Sequence, residues 1–293
     1  MRKILILGSG GRLGAALARI YGSSDFEVAG LNHAAVDLNS SESVQEQVTP
    51  LDFDVLINCA ALTDVDYCET HQEEALRINA YAARELAQIC EKKRARLIHI
   101  STDYVFEGVK SSPYMEEDPA HPISVYGESK LRGEQEVLGV SERHLVVRVS
   151  WVFGPDRPSF IDGILKRALS EDRAEAIADK FSAPAFTLDV AEYLRPFIEK
   201  IPEGGLLHLC NSGQCSWREY GQFAMDCAAR AGVRLKAAHV HPLKLEEMKS
   251  FVAKRPIYTV LSTDKITRLT GRKPRSWQDA VEAYVKAKYA PAG

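Results

Sequence analysis

Four apolar residues, Ile4-Leu5-Ile6-Leu7, run directly into Gly8-Ser9-Gly10-Gly11-Arg12-Leu13-Gly14, and an apolar-periodic stretch follows from Leu13 to Ile20. Few backbones accept that order. A continuously apolar strand is buried on both faces, which points to a parallel sheet covered by helices rather than an antiparallel sheet open to water. Glycines at its end permit a sharp turn into a helix whose first N–H groups have no partner within the helix. The first half of the chain repeats this rhythm. Val28–Leu31, Val55–Asn58, Leu97–Ile100 and Leu145–Val149 read as strands, while Glu73–Cys90 and Tyr126–Leu138 read as helices. The expected class is therefore α/β, a doubly wound parallel Rossmann sheet.

The rhythm loosens after Gly154. Phe160–Leu169 and Leu188–Ile198 have helical patterns, Leu206–Leu209 is one more apolar strand, and turns at Pro242, Pro256 and Pro274 punctuate the remainder. The expected division is a dinucleotide-binding Rossmann domain of residues 1–155 plus about 186–212, and a smaller C-terminal substrate-binding lobe of about 156–185 plus 213–293. At 293 residues and 45% hydrophobic content, such a chain can bury a full core. Its formal net charge of -3 argues against a nucleic-acid polymer or a membrane surface as partner. No apolar run reaches spanning length, and the first strand begins too close to Met1 to leave room for a signal peptide. The six cysteines form no Cys-x-x-Cys and several sit in apolar stretches, so a cytoplasmic, reducing location is expected.

The glycine loop departs from G-x-G-x-x-G, because position 13 is leucine, but satisfies Gly-x-x-Gly-x-x-Gly through Gly8, Gly11 and Gly14. Between a strand and a helix, that spacing suits a pyrophosphate at the positive helix end, which makes Gly8, Gly10, Gly11, Arg12, Leu13 and Gly14 candidate cofactor contacts. An acidic residue at the end of the second strand would hold the adenosine ribose hydroxyls. The chain has Leu31-Asn32-His33 there. Without that carboxylate, and with Arg12 assigned to a 2′-phosphate, NADPH is the preferred cofactor and NADH an admissible one. Asn32, His33, Asp37 and Leu38 are placed beside the adenosine, and Ala60 and Ala61 are small enough for close passage of the cofactor.

Tyr126 and Lys130 stand four residues apart and project from one helix face. A cation beside a phenol lowers its pKa, so the pair is expected to exchange a proton with a carbonyl oxygen near neutral pH. Ser101-Thr102 closes the apolar strand before them.

These segments resemble an extended short-chain dehydrogenase/reductase, and in particular the dTDP-4-dehydrorhamnose reductase (RmlD-like) family. The resemblance is carried by the glycine loop, Asn58-Cys59-Ala60-Ala61, Ser101-Thr102-Asp103-Tyr104-Val105-Phe106, Tyr126-x-x-x-Lys130 and Arg148-x-Ser150-Trp151-Val152-Phe153-Gly154. It continues through Asp179–Pro184, Asn211-Ser212-Gly213, Ser216-Trp217 and Lys254-Arg255-Pro256, and departs at Ala183-Pro184-Ala185, where the family usually carries Pro-Thr. It implies that Tyr126 protonates the C4 oxygen of a keto sugar, that Lys130 tunes Tyr126 and holds the nicotinamide ribose, and that Thr102 hydrogen-bonds the same carbonyl. It also implies a nucleotide-sugar pocket at Thr63, Asp64, Asp103, Trp151 and Arg255, a proton relay through Asn79, and an assembly that leaves a homodimer open.

The implied reaction is NADPH-dependent reduction of a nucleotide-linked 4-keto-6-deoxysugar, dTDP-4-dehydrorhamnose to dTDP-rhamnose. Dehydratase relatives resemble Thr-Asp-Glu where this chain has Thr102-Asp103-Tyr104, so the second carboxylate is missing. The alternatives are another nucleotide-sugar reductase or epimerase, or a catalytically silent NADP-binding regulatory subunit like that of methionine adenosyltransferase. Retention of Thr102, Tyr126 and Lys130 favours catalysis over binding alone. No metal site is expected: His239-x-His241 lacks completing ligands, and Glu116-Glu117-Asp118 reads as a solvated acidic turn. Ser150 lacks a nucleophile-elbow context.

Overall fold

A computed structural model describes residues 1–200 and 202–290; residues 201 and 291–293, which fall within the expected segments, lie outside the described residues. Its centre is a parallel sheet of β1 (Lys3–Leu7), β2 (Glu27–Leu31), β3 (Val55–Asn58), β4 (Arg96–Thr102), β5 (Leu145–Val149) and a last strand, Gly205–His208. Their spatial order is Gly205–His208, β5, β4, β3, β1, β2, and every neighbouring pair is parallel. β2 lies on one side of β1 and β3 on the other, so the chain reverses direction across the sheet at β1. Crevices outside the carboxyl ends of strands at such a point are where ligands bind in open α/β sheets.

The apolar runs are continuous because successive side chains enter different cores. Ile4, Ile6, Ile57 and Val147 join Leu17, Tyr21, Leu194 and Phe197 on one face. Leu5, Leu7, Leu56 and Val146 join Leu86, Ile89 and Val137 on the other. β2 is the exception, with Glu27, Ala29 and Gly30 exposed, as its place at the sheet edge explains.

The helical pattern from Glu73 to Cys90 forms Gln72–Leu76 and Ala82–Lys93, joined by a π-helical turn at Arg77–Tyr81. Such a turn adds one residue per hydrogen-bonded ring and rotates the following face. The helix ends at Arg94 in the left-handed region, φ 57°.

Helices Phe160–Ser170, Trp217–Arg230 and Trp277–Tyr289 share a further core containing Phe153, Ile164, Tyr220, Met225, Trp277 and Tyr284. Asp162 ties the first of these to the last, accepting from Tyr284 Oη at 2.6 Å, Lys288 Nζ at 2.7 Å and Tyr289 Oη at 2.5 Å. Between these elements the chain returns to the sheet: Thr187–Glu199 places Leu194 and Phe197 in the first core, and Gly205–His208 pairs with β5. Ala183 and Ala185, where the chain departs from the family pattern, are buried in that same core.

The acidic turn is not wholly solvated. Glu116 is buried and accepts the His208 backbone N–H at 2.8 Å, because the turn folds back across the last strand. Burial raises its carboxyl pKa despite that bond.

Candidate active site

A cavity of about 990 Å³ opens at the carboxyl ends of the central strands. The glycine loop forms one wall. Gly8 has φ +74°, and a Cβ there would stand 2.7 Å from Ala60 N; a Cβ on Gly14 would stand 2.2 Å from Gly8 O. Both positions thus admit only glycine without movement, and the turn stays tight against the end of β3. The helix Arg12–Gly22 that follows has no side-chain cap at Gly11 and no acidic residue in its first turn. Its leading N–H groups are therefore available to an anion, as a dinucleotide pyrophosphate requires.

Gly8, Gly10, Gly11, Arg12, Leu13, Asn32, His33, Asp37, Leu38, Ala60 and Ala61 all line this cavity, and Gly14 supports it from within the helix. Asn32 Oδ1 accepts the N–H groups of Ala34 at 3.0 Å and Ala35 at 3.2 Å, shaping the turn after β2. Arg12 does not fit the expected 2′-phosphate role. It occupies the first helical position, and its Nε and Nη2 donate to Pro158 O at 3.1 and 2.5 Å. Arg157 donates to Gly10 O at 2.9 Å and Arg19 to Asp156 at 2.8 Å, so this side chain belongs to a three-arginine clasp between the glycine loop and the 155–159 segment.

Tyr126 and Lys130 lie on helix Val125–Val140, whose start is capped by Ser124 Oγ accepting Gly127 N–H at 3.2 Å. A Cβ on Gly127 would come within 2.3 Å of Tyr104 O; the missing side chain lets the helix approach the turn after β4. That approach sets the Tyr126 phenol beside the Thr102 hydroxyl on the cavity wall. Tyr104 packs edge-on against Tyr126, with ring centroids 5.6 Å apart.

The expected fall in the phenol pKa is reversed here. Burial pushes Tyr126 upward, and the neighbouring Thr102 hydroxyl opposes it only in part. Lys130 Nζ donates to Ile100 O at 2.7 Å, and burial lowers its pKa to about 8 against the raising effect of Glu134. A phenol that keeps its proton at neutral pH suits a general acid.

Asp103 lines the cavity but is buried and already engaged. Its carboxylate accepts from Thr102 Oγ1 at 3.2 Å, from Ser182 Oγ at 3.1 Å and from Thr259 Oγ1. Behind it, Lys180 donates to Pro256 O at 2.6 Å and lies 4.9 Å from the Tyr104 ring centroid. Burial brings its pKa to about 8, with Asp103 opposing the fall.

Thr63 and Trp151 also line the cavity. Trp151 has φ 42°, an uncommon conformation for a bulky residue, and packs on Trp217 and Tyr220 at 5.7 and 6.1 Å. Its indole nitrogen is buried without a hydrogen-bond partner among the described residues.

Asp64 and Arg255 are occupied elsewhere. Asp64 caps helix Val65–Thr70, accepting from Asp66 N at 3.1 Å and Tyr67 N at 3.0 Å. Arg255 forms a two-pronged pair with Asp66, both contacts 2.7 Å, while stacking 3.8 Å from the Phe251 ring centroid. Asn79, at the π turn, bonds the Leu62 N–H and carbonyl at 2.8 and 3.0 Å and Ser129 Oγ at 2.9 Å, fixing the loop after β3.

Sequence reasoning missed Ile100, Ser101, Val149 and Ser150 as cavity residues. Their signal was position, at the carboxyl ends of adjacent strands. Lys180, buried behind Asp103, was passed over although it lies in the Asp179–Pro184 segment that carries the family resemblance. Among the described residues, no group of three or more His, Cys, Asp or Glu side chains is placed to hold a metal ion.

A proton donor and a buried lysine beside a dinucleotide cradle place the chain among the nicotinamide-dependent short-chain dehydrogenases/reductases. More narrowly, it belongs to the RmlD family, whose model, described as "RmlD substrate binding domain", matches residues 1–290. The spore coat polysaccharide biosynthesis protein SpsK of Bacillus subtilis (strain 168) is 32% identical over 288 residues, covering 98% of each chain. The dTDP-4-dehydrorhamnose reductase of Escherichia coli (strain K12) is 31% identical over 287 residues, covering 95% of each. A solved dTDP-4-dehydrorhamnose reductase from Bacillus anthracis str. Ames, in complex with NADP, superposes with a TM-score of 0.90 at 28% identity, covering 98% of this chain and 100% of that one.

Proposed function

We propose that this chain is an NADPH-dependent oxidoreductase that reduces the C4 keto group of dTDP-4-dehydrorhamnose to give dTDP-rhamnose. The observation that carries the reading is the convergence of Thr102, Tyr126 and Lys130 on the cavity that the glycine loop opens into. A binding module needs the cradle alone; it does not need a buried proton donor beside a second hydroxyl.

The first turn of helix Arg12–Gly22 and Gly8–Gly11 would hold the pyrophosphate, Asn32 to Leu38 the adenosine, and Ala60-Ala61 the passage between them. Bound there, the reduced nicotinamide supplies the hydride. Tyr126, protonated at neutral pH, donates its proton to the C4 oxygen, and Thr102, turning its hydroxyl away from Asp103, gives that oxygen a second hydrogen bond. The Lys130 ammonium stabilises the phenolate that Tyr126 becomes. Trp151 offers an apolar face to the sugar, with Thr63 nearby. Until the sugar binds, Asp103 holds the Thr102 hydroxyl.

The separate core under helices Phe160–Ser170, Trp217–Arg230 and Trp277–Tyr289 supports the division into a Rossmann domain and a sugar-binding lobe. No helix among the described residues is long and apolar enough to cross a membrane. All six cysteines are free and five are buried, which supports a reducing cytoplasm. Light scattering on the purified protein decides the homodimer left open by the sequence.

The test follows NADPH absorbance on addition of dTDP-4-dehydrorhamnose, with NADH and a no-sugar control alongside. Sugar-dependent oxidation, faster with NADPH, is expected. Demonstrated NADPH binding without oxidation would overturn the reading.

A further inference from the structure

His99 lies within β4, 1% exposed, and the reaction described above gives it no part. Its two ring nitrogens meet different partners: Nδ1 is 3.1 Å from Asn58 Nδ2, and Nε2 is 3.4 Å from Lys130 Nζ. Burial holds the ring's pKa well below its ordinary value, with the Lys130 charge acting in the same sense, so the imidazole is neutral. A neutral imidazole has one N–H; one nitrogen donates and the other accepts.

Asn58 decides which. Its side-chain oxygen accepts the Ala60 backbone N–H at 3.1 Å. A backbone N–H can only donate, so the Asn58 atom facing Ala60 must be oxygen and the atom facing His99 must be the NH2. That NH2 donates to Nδ1, which leaves the ring proton on Nε2, directed at Lys130. An ammonium has no lone pair to receive it, whereas a neutral amine does.

We propose that His99, fixed as the Nε2–H tautomer by Asn58, is a positioning residue that favours the neutral amine of Lys130 and so sets the pH above which the lysine stops supporting Tyr126. Other groups around Lys130 act in known directions. On its own helix, Tyr126 lies one turn before it and Glu134 one turn after. Glu134 is paired with Arg148 and accepts from Ser101. The Cys59 thiol faces it from the segment after β3, and the Ile100 carbonyl from β4 accepts one of its protons. Glu134 and Cys59 favour the ammonium, while burial disfavours it. The histidine N–H adds to the second effect. It does so without charge, so it is not removed when the pH changes across the working range.

The consequence for turnover rests on the reductase reading; the tautomer and the lysine titration do not. In 15N-labelled protein with NADP+ bound, long-range proton–nitrogen correlation of the His99 ring should show the proton on Nε2. The Lys130 side chain, assigned by loss of its signal in Lys130→Met, should titrate in the same sample. In His99→Gln the side-chain oxygen can accept from the ammonium, and the Lys130 titration should move alkaline by about one pH unit, the size of one hydrogen-bond change. The alkaline limb of kcat for sugar reduction should move with it, whereas a merely structural role would lower kcat and leave the limb in place. A ring proton on Nδ1 in the unsubstituted protein overturns the proposal, whether or not the variant folds. So does a Lys130 titration that stays in place in His99→Gln. Neither outcome depends on turnover, so failure of the reductase reading would be seen separately.

Discussion

Arg148 is the largest fully buried side chain among the described residues, and its removal tests how charge is balanced inside the sheet. Nε and Nη2 donate to the two Glu134 oxygens at 2.9 and 2.6 Å, Ser101 donates to the same carboxylate at 2.5 Å, and the guanidinium lies 5.0 Å from the Phe106 ring centroid. Arg148→Met keeps much of the aliphatic stem and leaves Glu134 with the Ser101 hydroxyl and the Lys130 charge one turn away. Breaking a buried ion pair by removing one partner costs about 3–5 kcal/mol, a large share of the roughly 5–15 kcal/mol that holds a domain folded. Adding Glu134→Leu removes the stranded charge. The remaining loss should fall to about 1–3 kcal/mol, mainly the Ser101 hydroxyl without its acceptor. Urea unfolding followed by far-ultraviolet circular dichroism is the suitable assay, because Trp151, Trp217 and Trp277 all report on the other core. A single-variant loss below about 1 kcal/mol, or a double variant no more stable than the single, would refute the reasoning.

Tyr126→Phe should lower kcat by about 10²- to 10⁴-fold through loss of the proton donor, with NADPH affinity unchanged in fluorescence titration; a smaller than tenfold fall would contradict its role. Gly14→Ala sets a Cβ 2.2 Å from Gly8 O. Overpacking of about 1–3 kcal/mol should outweigh the roughly 1 kcal/mol gained in helix propensity, and both Tm and NADPH affinity should fall; an unchanged pair of values would show that the turn has slack. Arg12→Ala, whose side chain is spent on Pro158, should weaken NADPH and NADH equally in paired titrations. A loss confined to NADPH would restore the 2′-phosphate contact.

The parts of the molecule legible in the sequence are those governed by neighbours in the chain. Strand burial, the Gly8 and Gly14 approaches, and the pairing of Tyr126 with Lys130 on one face follow from periods of two and about four residues. Most of what was missed depends on segments far apart in sequence. Arg255 reads as a free cation until Asp66 is folded against it, and Asp103 reads as a substrate ligand until Ser182 and Thr259 surround it. Glu116 looks solvated until the last strand offers it an N–H. The capping role of Asp64 was legible but unread, since an aspartate before a helix start is a cap by local chemistry alone. The Tyr126 pKa was misjudged because spacing gives proximity to a cation but says nothing of burial, which has the larger effect here.

The late return of Gly205–His208 to the sheet bears on how the chain emerges from the ribosome. β5 is made long before its outer neighbour, and all of the chain between Val149 and Gly205 must be synthesised first. Until then, Leu145-Val146-Val147-Arg148-Val149, buried throughout in the finished protein, presents an open row of backbone donors and acceptors. A nascent chain stalled before Gly205 is therefore a template for strand addition by another copy. The final strand seals that edge, and the sealing comes only after the first lobe helix has already left the tunnel.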